Sequence, residues 1–182
     1  MFSILGMHVA NDFLDADQET WLRHWVEQQP EQEWQAVVFR GVEARRRMMC
    51  FGWNYVTTGR RLEPAPPLPE AMERLRNAAC RRFRVPDPQG LEQLIVTRYP
   101  PGSGIGVHVD APVFGEHVVG VSLGGAGRLH FTRQRHTAVT VGLPSGSAYV
   151  MSGEARWRWF HQLRPVKETR WSFTFRRLRE AL

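Results

Sequence analysis

His108 and Asp110 lie two residues apart in GVHVD. On an extended strand that spacing puts both side chains on one face and Val107 and Val109 on the other, so an imidazole nitrogen and a carboxylate are offered to one ion. A lone His-x-Asp pair also occurs on ordinary surface strands, and it needs a third ligand to mean more. His161, 51 residues beyond Asp110 in WRWFHQL, is the candidate. Two imidazoles and one carboxylate on one face of a metal leave its other positions open, as non-haem iron(II) chemistry with a co-substrate and oxygen requires. His8, His24, His117, His130 and His136 lack such partners, and each reads as a surface or hydrogen-bonded side chain.

Beyond His161 comes TRWSFTFRR. As a strand it carries Arg170, Ser172, Thr174 and Arg176 on one face and Trp171, Phe173 and Phe175 on the other. The aromatic face is core. The polar face then turns two permanent charges into the interior of a barrel, where an unpaired charge is costly and an anionic partner is expected. At roughly 3.3 Å per residue the two arginine Cα atoms are about 20 Å apart, yet inward-reaching guanidiniums can grip both ends of a short dicarboxylate. An edge strand with two solvated arginines is the alternative that this run alone leaves open.

These residues need elements to position them, and composition bounds what those are. The 182 residues, 42% hydrophobic and 23% charged, suit one compact domain large enough for an enzyme. No run approaches the roughly 20 apolar residues of a membrane span, and the N-terminus lacks a signal-peptide pattern, so a cytoplasmic setting is expected. Cys50 and Cys80 stand apart without metal-ligand spacing and read as ordinary thiols. The net charge of +6 is uneven: residues 1–35 hold seven acids against Arg23, and the remainder holds 23 bases and 11 acids. Lys167 is the only lysine, and arginine suits bidentate phosphate contacts and base stacking. This favours a nucleic-acid partner, although codon usage alone also produces arginine-for-lysine bias.

Asp15, with Gln18 three positions on, forms a capping box for a helix over residues 16–29, with Trp21, Leu22 and Trp25 as core. Proline at the first position and Met72, Leu75 and Ala79 at helical spacing predict a second helix over residues 69–83. Between them RRRMMCFGWNYVTTGRR reads as a strand and loop, and LEPAPPLP as a stiff connector. From Leu91 onward seven short β-rich runs follow: LEQLIVTRY, HVVGVSLGG, GRLHFTR, TAVTVGL, SAYVMSG, ARWRWFHQL and TRWSFTFRRL. Such runs predict a sandwich or jelly roll. The expected fold is α+β, mainly β: a double-stranded β-helix over residues 91–182, carried on an N-terminal α/β layer over residues 1–90.

Taken in order, TRYPPGSGIGVHVD, VVGVSLG, GEARWRWFHQL and RWSFTFR resemble the AlkB family of iron(II)- and 2-oxoglutarate-dependent dioxygenases. The resemblance covers residues 90–177 and extends loosely to FLDADQETWL and CFGWNY. It implies Fe2+ held by His108, Asp110 and His161, with 2-oxoglutarate held by Arg170 and Arg176 and contacted by Tyr99. O2 is the second co-substrate, and the implied chemistry is oxidative decarboxylation of 2-oxoglutarate to succinate with hydroxylation of an N-alkyl carbon that leaves as an aldehyde. Two family asparagines near the co-substrate are replaced here by Thr97 and Ser172, and the base-contacting acid of the DNA-repair prototype falls at Pro112. The stretch DAPVFGEHVVGVSLG and the run VMSGEARW look closer to homologues acting on RNA or tRNA, or without settled substrates.

In this family the region of Arg45, Arg46 and Arg47, followed at period two by Phe51, Trp53 and Tyr55, is a nucleotide-recognition lid. Its aromatics can stack on a flipped base while the arginines hold phosphates. Equally, the aromatics can be the buried side of a strand. A monomeric demethylase of alkylated bases in DNA or RNA is one expectation. A hydroxylase of the same fold acting on tRNA-modified bases, a protein side chain or a small molecule is another, and a non-enzymatic nucleic-acid-binding module is a third that five intact ligand positions oppose.

Overall fold

The computed structural model describes residues 6–39, 41–56, 59–133 and 137–179, and His136 lies outside them. In chain order the elements are β1 (Met7–Ala10), α1 (Ala16–Glu27), β2 (Gln35–Phe39), β3 (Val42–Phe51), β4 (Trp53–Val56), β5 (Arg61–Pro64), α2 (Glu70–Phe83), β6 (Gln93–Tyr99), β7 (Ile105–His108), β8 (Phe114–Gly124), β9 (Gly127–Arg133), β10 (Thr137–Leu143), β11 (Ala148–Met151), α3 (Gly153–Trp157), β12 (Phe160–Leu163) and β13 (Arg170–Leu178). A seven-stranded sheet runs β1-β11-β8-β13-β6-β3-β2, a four-stranded sheet runs β10-β9-β12-β7, and β4 and β5 form a separate hairpin. The pairings are antiparallel, which gives the expected jelly roll.

Strand β13 sits at the centre of the large sheet, and its period-two alternation separates two cores. Trp171, Phe173 and Phe175 pack with Leu22 and Val26 of α1 and Met72, Ala79 and Cys80 of α2. The second core lies between the sheets and includes Leu129, Phe131, Leu143, Tyr149 and Leu163. The helices therefore back the large sheet, and the space between the sheets is left for the inward polar face of β13.

Several local expectations are corrected. The Asp15–Gln18 capping box is present, but α1 ends at Glu27 with Gln28 as its cap. Trp21 is 48% exposed, because the buried stripe runs through Leu22 and Val26, with Trp25 against Phe51 and Phe173. Pro69 caps α2 rather than beginning it. The expected loop after β3 is the β4–β5 hairpin, and β5 takes up the start of the supposed connector. ARWRWFHQL is not one strand, since its first half forms α3. The reason is tertiary: Arg156 of α3 is fully buried and bonds backbone carbonyls. Both cysteines are buried, and burial pushes each thiol up to about 11.

Candidate metal centre and co-substrate pocket

Antiparallel pairing of β7 with β12 sets His108 directly opposite His161, with ring centroids 4.3 Å apart. Strand β7 ends at His108, so Asp110 is carried by the following turn rather than by the same strand. The turn nevertheless returns its carboxylate to the pair. Asp110 Oδ2 lies 3.8 Å from His161 Nε2, and ligand atoms of the three residues all fall within 4.8 Å of one another. Val107 projects outward, 58% exposed, as alternation requires.

The donor set fits a divalent metal. His108 Nδ1 is 2.9 Å from the Gly106 carbonyl oxygen. A proton on that nitrogen leaves the Nε2 lone pair free. His161 is pushed down to about 4, first by burial and then by the neighbouring His108, so its imidazole is neutral at ordinary pH. Burial favours the neutral Asp110 carboxyl, but Arg176, the two imidazoles and Arg156 outweigh it and hold the group below its ordinary value. Two neutral imidazoles and a carboxylate are what a metal with open coordination positions needs.

The depressed His161 value predicts a pH effect on the metal-free protein. The unfolded chain protonates this histidine near its ordinary 6.5, whereas the folded chain resists protonation until about 4. Between those values the unfolded state binds more protons, so stability from this group is present above 6.5 and is lost as pH falls toward 4. Urea midpoints of the chelator-treated protein should decline across that window. A His161→Phe variant should lose part of that slope.

Behind the triad lies a cavity of about 130 Å³, below the roughly 300 Å³ of sites for larger ligands. Its apolar wall includes Ile105, Leu129, Leu143 and Leu163. Its polar wall is the inward face of β6 and β13: Thr97, Tyr99, Arg170, Ser172, Thr174 and Arg176. The six-residue span between the arginines is bridged as their spacing suggested, because both side chains turn into the same cavity.

The two arginines are held differently. Arg176 donates from Nε to Gln93 Oε1 at 2.8 Å and from Nη1 to Asp110 Oδ1 at 3.0 Å, and its guanidinium lies 3.7 Å from the Phe114 ring centroid. Its charge is thus paired. Arg170 is 2% exposed and donates from Nη2 to Ser122 Oγ at 2.8 Å, while its Nε has no partner. No carboxylate pairs with it among the described residues. Gly127 leaves room for it, since a Cβ there would stand 2.6 Å from Arg170 Nε. A buried, unspent guanidinium with an orphaned N–H is a receptor for an anion.

Gln93, Phe114, Tyr149 and Arg156 were not singled out by sequence. Gln93 carried a signal: it shares the inward parity of Thr97 and Tyr99 on β6. Its amide is fully committed, accepting from Arg176 and donating from Nε2 to the Trp53 carbonyl at 2.9 Å. Gln93→Leu leaves the buried Arg176 Nε and the part-buried Trp53 carbonyl without these partners and should cost about 2–4 kcal/mol in chemical denaturation. A cost under about 1 kcal/mol would contradict these contacts.

The expected lid residues do not share one face. Phe51 packs on Trp25 in the helix-side core, and Tyr55 meets Phe114 edge-on at 5.6 Å on the cavity side. Gly52 separates them: it has φ +72, and a Cβ there would fall 1.9 Å from the Glu92 carbonyl oxygen. The period-two aromatic row is therefore broken at Gly52, and Trp53 meets the site through its backbone carbonyl. Arg47 pairs with Glu43 at 2.7 Å. Arg46 reaches the Gly104 carbonyl at 3.4 Å, and exposed Arg45 lies beside Gly102, both against the loop joining β6 to β7.

The model of the 2OG-Fe(II) oxygenase superfamily matches residues 6–179. A Xenopus tropicalis protein named tRNA (carboxymethyluridine(34)-5-O)-methyltransferase alkbh8 is 28% identical over 168 residues, covering 89% of this chain and 26% of its own. The chain thus spans about a quarter of that relative's length. Among solved structures, OsALKBH1 superposes with a TM-score of 0.77 at 20% identity, covering 97% of this chain and 99% of its own. A Pseudomonas putida prolyl-4-hydroxylase superposes with a TM-score of 0.64 at 19% identity, covering 96% and 93%. With a His-Asp-His cluster that fits iron and a match along nearly its whole length, the chain belongs to the 2OG-Fe(II) oxygenase superfamily, whose members use Fe2+, 2-oxoglutarate and O2.

Proposed function

We propose that this dioxygenase removes alkyl groups from the nitrogen atoms of nucleic-acid bases, with His108, Asp110 and His161 holding the iron. Arg170 receives one carboxylate of 2-oxoglutarate, and Arg176, already committed to Asp110, serves the end nearer the metal. Tyr99, Thr97 and Ser172 line the same wall and supply hydrogen-bonding groups along the co-substrate. The bound iron supplies the oxygen activation that couples decarboxylation of 2-oxoglutarate to hydroxylation of the alkyl carbon. One oxygen atom ends in succinate and the other in the hydroxymethyl group, which departs as formaldehyde and leaves N–H on the base. The apolar wall limits water around the reacting centre.

The observation that carries a nucleic-acid substrate is the β4–β5 hairpin beside the triad. Tyr55 rests against Phe114, Phe114 lies under Arg176, and Arg45 and Arg46 flank the neighbouring loop. Tyr55 offers an aromatic ring for an unstacked base, and Arg45 and Arg46, against the loop joining β6 to β7, offer charges for its phosphates. The basic balance beyond residue 35 supports the same reading. The prototype's base-contacting acid is replaced by the exposed Pro112, and a relative named for tRNA modification is among the matches, so RNA and tRNA belong in the test beside DNA.

The test is a panel of methylated single- and double-stranded DNA, RNA and tRNA oligonucleotides, with demethylation followed by mass and formaldehyde release. Demethylation of at least one nucleic acid is expected, with Tyr55→Ala impairing it more than substrate-free turnover of 2-oxoglutarate. Succinate formation stimulated by peptides or metabolites but by no nucleic acid would replace this reading with that of a protein or small-molecule hydroxylase.

A further inference from the structure

Arg156 is 0% exposed and has no carboxylate partner among the described residues. What surrounds its charge instead is main chain. Nε donates to the Gly115 carbonyl at 3.1 Å, Nη1 to the Asp110 carbonyl at 3.1 Å, and Nη2 to the carbonyls of Ala111 and Phe114, both at 2.9 Å. Four converging carbonyl dipoles solvate the buried cation, and the cation in turn fixes the path of residues 110–115. A lysine ammonium lacks the planar fork needed to satisfy all four.

This turn carries one metal-ligand candidate and Arg156 sits five residues before another. α3 is further fastened to the start of β8 by Glu116, which accepts from the Gly153 amide and from Trp157 Nε1, each at 2.5 Å. With the carbonyls of residues 110, 111, 114 and 115 bound inward, exposed Pro112 is left as the outward tip of the turn. The arrangement therefore joins the segment after Asp110 to the segment leading into His161, independently of the side chains facing the metal.

We propose that Arg156 is a positioning residue that pre-forms the turn presenting the Asp110 carboxylate, so that the ligand geometry exists before metal arrives. The proposal rests on the reading of His108, Asp110 and His161 as ligands. Loss of a group that orients a ligand weakens metal binding about tenfold to a hundredfold, and Arg156→Lys is expected to fall in that range.

The experiment titrates Co(II) into the full chain and follows its visible absorption. Arg156→Lys should bind about tenfold or more weakly with an altered spectrum, whereas Ala79→Gly, a destabilising change in α2 far from the site, should leave Co(II) affinity unchanged. Wild-type affinity and spectrum in a folded Arg156→Lys would overturn the proposal. Asp110→Asn tests the underlying reading separately, since undiminished Co(II) binding there would remove the triad itself. Hydrogen exchange on metal-free wild-type protein needs no variant to fold. The Phe114 amide, bonded to the Ala111 carbonyl at 3.1 Å, should already be protected; protection gained only on adding metal would show that the metal and not Arg156 forms the turn.

Discussion

Asparagine at position 110 should abolish 2-oxoglutarate turnover and reduce Fe2+ affinity by more than about a hundredfold, beyond the range expected for losing an outer-shell partner. The amide is close in size to the carboxylate, so the turn and the contact to Arg176 have a replacement acceptor. What disappears is the negative charge, which the flanking arginines and imidazoles keep on Asp110 despite its burial. Two neutral imidazoles alone offer a divalent ion no charge compensation. Alanine is the harsher change: it leaves the Arg176 cation, 7% exposed, without its acid, and breaking a buried pair costs about 3–5 kcal/mol. The comparison separates chemistry from folding. Asp110→Asn, which keeps an acceptor for Arg176 but not the charge, should be inactive and destabilised only in part, whereas Asp110→Ala should be inactive and destabilised further. Retained turnover in the asparagine variant would rule out Asp110 as the anionic ligand.

Methionine at position 170 should have the opposite effect on stability. Arg170 is a buried cation whose one described hydrogen bond is to Ser122, and its Nε is orphaned. Replacing such a charge with an apolar side chain of similar length is often neutral or stabilising. The metal-loaded, co-substrate-free Arg170→Met protein should therefore melt no lower than wild type. Its affinity for 2-oxoglutarate should fall by about a hundredfold, within the roughly 2–5 kcal/mol expected for truncating one partner of a buried charge pair. Arg176→Met should lower stability as well as affinity, because Gln93 Oε1 and Asp110 Oδ1 lose their donor. Calorimetry with 2-oxoglutarate on the Mn(II)-loaded protein and parallel denaturation curves distinguish the two. A large stability loss in Arg170→Met would mean that the guanidinium serves the fold rather than a ligand.

The contrast between these arginines was not legible in TRWSFTFRR. Alternation there placed Arg170 and Arg176 on one inward face, and that face is present. Whether each charge is paired depends on residues brought from other strands: Ser122 from β8, Gln93 from β6 and Asp110 from the turn after β7. The same holds for the lid. Spacing suggested one aromatic face through Phe51, Trp53 and Tyr55, but Gly52 redirects the chain and sends Phe51 to the helix-side core and Tyr55 against Phe114. Arg156 looked like one more residue of a β run, because nothing local announces four carbonyls arriving from residues 110–115.

By itself the sequence determined the periodicities and the ligand types: a mainly β chain with two supporting helices, a His-x-Asp pair, a later histidine and a strand with two inward arginines. These are local properties, set by side-chain chemistry and the two-residue repeat of a strand. Tertiary structure alone decided that Asp110 leaves the strand, that Arg176 is paired with Asp110 while Arg170 is buried with no carboxylate partner among the described residues, and that the buried Arg156 guanidinium bonds the carbonyls of the turn carrying Asp110. Those outcomes depend on contacts between residues far apart in the chain, where burial makes each unmatched charge or hydrogen bond costly and so selects one arrangement.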